Sequence, residues 1–344
     1  MTAENPDGAA PPGPLPLLTS DKALAAAYDT ALLDLDGVVY RGEDAVPHAA
    51  EALREAEQYG MRRAYVTNNA SRTPDAVAEH LNKLGVPALA AEIVTSAQAA
   101  ARMAQACVGE GGRVLVIGGP GLREAIAEQG LTAVASADDM PEVVVQGYSP
   151  DLGWKDLAEA TYAVRRGVPW IATNTDTTVP TARGIAPGNG TLVAAVRAAS
   201  GVTPQVAGKP ELPLHRESIL RSGARHPLIV GDRLDTDIEG AVRGKTDSLL
   251  VLTGVTTVRD LLAAPSDRRP NYIAEDLRGL LSAHVAPARE GVNYACGRWT
   301  AAVVSGQVVL HGRGEKIDAV RAMCAAVWAA GGDVDASDAL AGLA

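Results

Sequence analysis

The sequence predicts an α/β fold built on a parallel sheet, interrupted by a second α/β unit and followed by a short α+β piece. Three observations predict it. From residue 30 onward, short apolar runs alternate with amphipathic stretches, the pattern of strands joined by crossover helices. Two of those runs end in aspartates, at 34 and 232. And 344 residues, 47% of them hydrophobic and 21% charged, suffice for two domains with an appendage.

The elements follow in order. Residues 30–36 read as a first strand, 47–59 as a helix ended by Gly60, and 63–67 as a second strand. Thr73 is an N-cap with Pro74 at the first helical position, starting a helix that Gly85 stops. A second alternating series begins with a strand at 113–117, a helix near 122–129 and strands at 143–146 and 170–173. Gly118-Gly119-Pro120-Gly121 lacks the full G-x-G-x-x-G and loses an amide donor at Pro120, so it reads as a strand-to-helix turn. A loop over 183–190 leads into a helix at 191–199. Strands at 228–231, 248–252 and 272–274 resume the first sheet. The expected division is therefore a core from 26–95 and 206–285, an inserted unit from 96–205, and an extension from 286–344. In the extension, runs at 299–304 and 307–310 flank a Ser305-Gly306 hairpin turn before an amphipathic helix near 317–329. Residues 1–25, rich in Pro, Gly and Ala, are expected to be a disordered tail.

Composition excludes several functions. Aromatics are 3% with no Phe, which argues against platforms for stacking bases, and the net charge of −10 disfavours nucleic acid as a partner. Cys107, Cys296 and Cys324 are scattered without ligand spacing, as expected of reduced thiols in a cytoplasmic protein. No apolar stretch is long enough for membrane insertion.

Asp34 and Asp36 stand two apart at the end of an apolar run. If the strand continues through them, both carboxylates emerge on one face, and a cation or a proton must relieve their repulsion. A plain Asp-Gly turn accounts for them equally well in isolation. The balance shifts further along the chain. Thr67, Asn68 and Asn69, then Lys209, then Asp232 with Asp237 all lie at or beyond predicted strand ends, where open α/β sheets bind ligands. Carboxylates, an ammonium and a hydroxyl–amide run make up a metal-assisted phosphoryl-transfer site.

With Asp-Leu-Asp-Gly at 34–37, Val-Thr-Asn-Asn-Ala-Ser at 66–71, Gly-Lys-Pro at 208–210 and Gly-Asp-Arg-Leu-Asp-Thr-Asp-Ile at 231–238, the chain resembles the haloacid dehalogenase-superfamily phosphatases. The similar branch carries a large α/β cap and includes 4-nitrophenylphosphatases and glycerol 3-phosphate phosphatases, among them actinobacterial ones with a C-terminal extension. The resemblance covers about 30–280 and implies a Rossmann-like parallel-sheet hydrolase core with an inserted α/β cap. It implies Asp34 as nucleophile and Asp36 as acid/base. It further implies Mg²⁺ held by Asp34, the Asp36 carbonyl and Asp232, phosphate bound by Thr67, Asn68 and Lys209, and Asp237 orienting Lys209 or a metal-bound water. The expected activity is hydrolysis of a phosphomonoester, with glycerol 3-phosphate ahead of phosphoglycolate, nucleotides and sugar phosphates, in glycerophospholipid metabolism. Asp151, Trp154 and Arg183 are the expected specificity residues of the cap, which is also expected to form a homodimer. A phosphate-sensing or interaction protein without turnover is the competing class. A dehalogenase has no use for Asp36, and no G-x-x-x-x-G-K-[ST] of a P-loop kinase occurs.

Overall fold

The strand Thr30–Leu33 sits inside a six-stranded, all-parallel sheet. The order is Tyr272–Ala274, Ser248–Val251, Pro227–Gly231, Thr30–Leu33, Arg62–Thr67, Ile93–Thr95. Leu32 pairs with Ile229 on one side and Ala64 on the other. The chain winds outward in both directions from this pair, so a crevice opens at the carboxyl ends of these strands. The structure, a computed structural model, describes residues 17–181 and 183–343.

Alternate strand residues feed opposite faces. Leu33, Val230, Leu249 and Val251 pack with the helices Ala49–Gln58 and Pro74–Lys83. The second helix is capped as its sequence predicts, Thr73 Oγ1 accepting the Ala76 N–H at 3.2 Å. Leu32, Ala64, Val66 and Ile229 face the other way, onto the helix Ser96–Val108 and Leu214.

The first strand ends at Leu33, not at 36. Beyond it Val39 N–H returns to Leu35 O at 2.9 Å and Gly37 takes φ +84°, leading into the hairpin Tyr40–Arg41 with Asp44–Ala45. Asp34 and Asp36 are thus related by a tight turn rather than by strand alternation. The turn keeps Asp34 half-buried and leaves Asp36 exposed.

The inserted unit has its own five-stranded parallel sheet, ordered Gln205–Val206, Trp170–Ala172, Val143–Gln146, Arg113–Ile117, Thr132–Val134. Val143 and Val145 face Ser96–Val108 and Pro120–Glu128, while Val144 faces Trp154–Arg165 and Asn189–Ser200. Gly118–Gly121 is the strand-to-helix turn expected there, with Pro120 opening its helix. Residues 183–190 are not a simple loop. Thr178–Thr181 and Gly184–Pro187 form an antiparallel ribbon, and the following helix starts at Asn189. The ribbon is mostly exposed, so it carries no apolar alternation by which a sequence would betray it.

Ser96–Val108 belongs to both sheets. Its alanines 97, 100, 101 and 104 are buried in one cluster with Leu32 and Val66 of the core and Val114 and Val145 of the cap.

The extension forms a four-stranded antiparallel sheet, Ala288–Glu290, Asn293–Cys296, Trp299–Val304 and Gln307–Gly312, with the helix Lys316–Ala330. Ser305 and Gly306 both have positive φ, as a two-residue hairpin turn requires. Met323, Cys324 and Trp328 of that helix cluster with Leu250, Ile273 and Ile238 of the core. The extension covers a portion of the core sheet that the cap and its helix leave bare. Leu17 joins this cluster, and Ser20 exchanges main-chain hydrogen bonds with His284. The expected tail over 1–25 is therefore corrected over its last residues: Leu17, Leu24 and Ala25 are buried, because they find apolar cover. Residues 1–16 lie outside the described residues. No described helix is long and apolar enough to cross a membrane.

Arg321 ties the extension to the core, donating to Ile273 O at 2.7 Å and to His284 Nδ1 at 3.1 Å. A guanidinium only donates, so Nδ1 accepts and Nε2–H goes to Gly279 O at 2.8 Å. His284 is held neutral, its pKa lowered by burial and by Arg321. The unfolded chain takes up this proton near pH 6.5 whereas the folded one resists it, so stability is lost as pH falls below about 6.5. In urea unfolding, the midpoint of the wild type relative to that of His284→Gln should be lower at pH 5.5 than at pH 7.5.

Candidate active site

Three neighbouring strands of the core end in polar residues. Thr30–Leu33 delivers Asp34, Arg62–Thr67 ends on Thr67, and Pro227–Gly231 delivers Asp232. Lys209, from the turn before the helix Leu212–Ser222, reaches into their midst. Its Nζ lies 2.7 Å from Asp34 Oδ1, 2.7 Å from Asp237 Oδ1 and 3.1 Å from Val66 O. Three N–H donors meet three acceptors. Burial alone would lower the lysine's pKa, but Asp237 and Asp34 outweigh it and raise it, so the ammonium stays charged.

Asp232 is fully buried. Its Oδ2 accepts the Val255 N–H at 2.7 Å, while Oδ1 accepts nothing from any described residue. Gly37 presses against this carboxylate: a Cβ there would stand 2.5 Å from Asp232 Oδ2, and its φ of +84° already favours glycine. Asp237 is carried on a π-helical turn, Leu234–Ile238, with its Oδ2 accepting the Arg233 N–H at 3.3 Å.

Ligand oxygens of Asp34, Asp232 and Asp237 all lie within 4.8 Å of one another. Burial, then Asp237 and Asp34, push the pKa of Asp232 up to about 7. Burial and Asp34 likewise raise that of Asp237 against the pull of Lys209. Three carboxylates against one ammonium leave an excess of buried negative charge. A hard divalent cation bound by oxygen ligands is what that excess, and the orphaned Asp232 Oδ1, call for. The donor set fits such an ion.

Asp36 stands apart. It is more exposed than Asp34, though still partly covered, and its carboxylate is not among the three clustered ones. Burial, then Asp34, raise its pKa, with Arg233 opposing. A raised pKa suits a carboxyl that must give up a proton near neutrality.

Thr67 Oγ1 accepts the Asn69 N–H at 3.1 Å, which leaves its O–H to donate. Asn69 serves the turn, its Oδ1 accepting from Ser71 N–H and Oγ–H. Asn68 clamps the Lys209 main chain from both sides. Asp237 Oδ1 accepts from Lys209 Nζ at 2.7 Å.

The expected specificity residues are not drawn into this cluster. Trp154 is 77% exposed, Asp151 is exposed in the preceding turn, and Arg183 lies at the tip of the cap ribbon. None of them hydrogen-bonds to Asp34, Lys209, Asp232 or Asp237 among the described residues. Two cap residues that sequence reasoning missed do reach the site: Asn174 donates to Asn68 O at 2.7 Å, and Asp176 accepts from Asn68 Nδ2. They follow the strand Trp170–Ala172, so the strand-end rule used for the core would have found them.

Residues 31–132 match the model of the haloacid dehalogenase-like hydrolases, and 206–280 a second model described as HAD-hydrolase-like. The chain is 44% identical over 318 residues to the D-glycerol 3-phosphate phosphatase of Mycobacterium tuberculosis, covering 90% of this chain and 88% of that protein. The chain belongs to the haloacid dehalogenase-like hydrolases. A crystal structure of the M. tuberculosis glycerol phosphate phosphatase with magnesium superimposes with a TM-score of 0.85 at 42% identity, covering 94% of this chain and 98% of that one. The acid sugar phosphatase of Staphylococcus haemolyticus is 36% identical over 258 residues, 74% of this chain and 96% of that protein. Residues 296–344 match a GCN5-related N-acetyltransferase like domain.

In this haloacid dehalogenase-like hydrolase the site is bought with stability. A raised carboxyl pKa contributes stability below the ordinary value of about 3.9 and loses it as pH rises through the folded value, about 7 for Asp232. At pH 7.5 without metal, Asp232→Asn should therefore melt higher than the wild type. The same variant should lose most of the thermal shift that a divalent cation gives the wild type, both read by calorimetry.

Proposed function

We propose that the chain is a Mg²⁺-dependent phosphomonoesterase that hydrolyses glycerol 3-phosphate to glycerol and phosphate through an aspartyl-phosphate on Asp34. The observation that carries this reading is the placement of Lys209. It occupies Asp34 Oδ1 alone, so Oδ2 has no donor among the described residues and remains a nucleophile beside a fixed positive charge.

The steps follow from the side chains. Asp34 Oδ2 attacks phosphorus as the ester P–O bond breaks, and the leaving alkoxide takes the Asp36 proton. Asp36, now ionised, takes a proton from the water that attacks the aspartyl-phosphate, and phosphate leaves with Asp34 regenerated. Lys209 offsets the charge of Asp34 and the incoming phosphate, while the Thr67 hydroxyl and the Asn68 main chain hold phosphate oxygens. Asp34, Asp232 and the Asp36 carbonyl are the groups that would hold Mg²⁺, which supplies Lewis-acid neutralisation of the phosphate.

Glycerol 3-phosphate is preferred over a sugar phosphate because the relative named for it is matched at higher identity and over more of the chain than the acid sugar phosphatase. The same reading carries a cytoplasmic enzyme that recycles glycerol phosphates and pairs through its cap. Three unpaired cysteines and the exposed Trp154, Tyr162 and Ile185 of the cap support it.

Phosphate release from glycerol 3-phosphate, phosphoglycolate, sugar phosphates, nucleotides and 4-nitrophenyl phosphate, with and without Mg²⁺, tests the proposal. Glycerol 3-phosphate should show the highest kcat/KM, and Asp34→Asn should reduce every rate to background. Equal, negligible release by wild type and Asp34→Asn would leave a phosphate-sensing protein instead. Asp36→Asn should lower kcat on glycerol 3-phosphate about 10²–10⁴-fold. Its effect on 4-nitrophenyl phosphate should be smaller, because nitrophenolate leaves without a proton.

A further inference from the structure

Among the cap's contacts with the loop that follows Thr67, the segment Thr173-Asn174-Thr175-Asp176, at the carboxyl end of the strand Trp170–Ala172, carries the one directed at the Asn68 side chain. The receiving group is Asn68. Its Oδ1 accepts the Lys209 N–H at 2.8 Å, and one Nδ2 hydrogen goes to Lys209 O at 3.1 Å. The other faces both carboxylate oxygens of Asp176, at 3.3 and 3.4 Å. Its main-chain oxygen accepts Asn174 Nδ2 at 2.7 Å and Ser96 Oγ.

Nothing in this arrangement is loose. A Cβ on Gly208 would lie 2.6 Å from Asn68 Oδ1 and 2.6 Å from Thr173 O, so the chain before Lys209 lies flat between core amide and cap backbone. Asp176 is fixed in turn by its N–H on Asn174 Oδ1 at 3.2 Å and by the Gly190 N–H on its carbonyl at 2.8 Å. The second contact comes from the start of the helix Asn189–Ser200.

An amide has one oxygen and one NH₂ end, and only one orientation of Asn68 satisfies both Lys209 N–H and Lys209 O. A carboxylate accepts and cannot donate, so Asp176 selects the orientation that presents NH₂ to it. We propose that Asp176 is a positioning residue of the cap: by fixing the Asn68 amide it sets the Lys209 main chain, and so makes placement of the catalytic ammonium depend on a seated cap. This rests on the phosphatase reading above. On this proposal Asp176 acts through Asn68 and not on the substrate.

The test compares full-length wild type with Asp176→Ala, Asp176→Ser and Asp176→Asn on glycerol 3-phosphate and 4-nitrophenyl phosphate at saturating Mg²⁺. Serine is polar but too short to reach Asn68, which keeps the test alive should alanine impair folding. Asparagine can still accept. A misplaced Lys209 should lower kcat about tenfold or more on both substrates alike in Ala and Ser, with KM little changed, and Asn should recover most of that loss. Amide hydrogen exchange over 206–211 should quicken in Ala and Ser but not in Asn. A rise in KM confined to glycerol 3-phosphate would instead make Asp176 a substrate contact and overturn the proposal. So would unchanged kcat and unchanged exchange. If wild type turned over neither substrate, the phosphatase reading would fail, and the exchange experiment would still decide whether Asp176 holds the 206–211 segment.

Discussion

One ammonium among carboxylates organises this protein. Lys209 is nearly buried, and a lone buried lysine would give up its proton; Asp34 and Asp237 prevent it. Each acid in turn depends on the lysine, because carboxylates this close repel strongly in a medium of low dielectric. The central strands must therefore end where they do, and the turn carrying Lys209 must reach back across them. The winding of the sheet away from Thr30–Leu33 in both directions makes the room for that.

The site's members were legible in the sequence because strand ends are legible. Apolar runs stopping at Asp34, Thr67 and Asp232 mark one edge of one sheet, and Lys209 completes the chemistry. How Asp34 and Asp36 divide their roles was not legible in geometric terms. Strand alternation makes the two acids equivalent, whereas the turn at Gly37 turns one inward to Lys209 and leaves the other at the surface. A turn of that kind depends on the fit of Gly37 against Asp232, far along the chain, which no local pattern encodes.

Elsewhere the losses have equally physical causes. The helix Ser96–Val108 is buried all round through Ala101, so only its second half shows solvent-facing residues from which periodicity could find it. The cap ribbon has the opposite defect, being exposed on both faces. Leu17 reads as belonging to a Pro- and Gly-rich tail until the extension supplies the apolar surface that holds it. For the helix and for Leu17 the deciding partner is remote in sequence.

The alanine-rich helix shared by the two sheets sets the kind of motion available to the cap. A lid that swings away on a hinge must pull its two faces apart, and here that would wet Leu32, Val66, Val114 and Val145 along with the alanines between them. Short side chains give that contact little interlock, however, and a smooth helix face can slip along its neighbours by about an ångström without exposing them. Substrate entry and product exit in this chain should accordingly proceed by shear between packed layers rather than by lifting of one from the other.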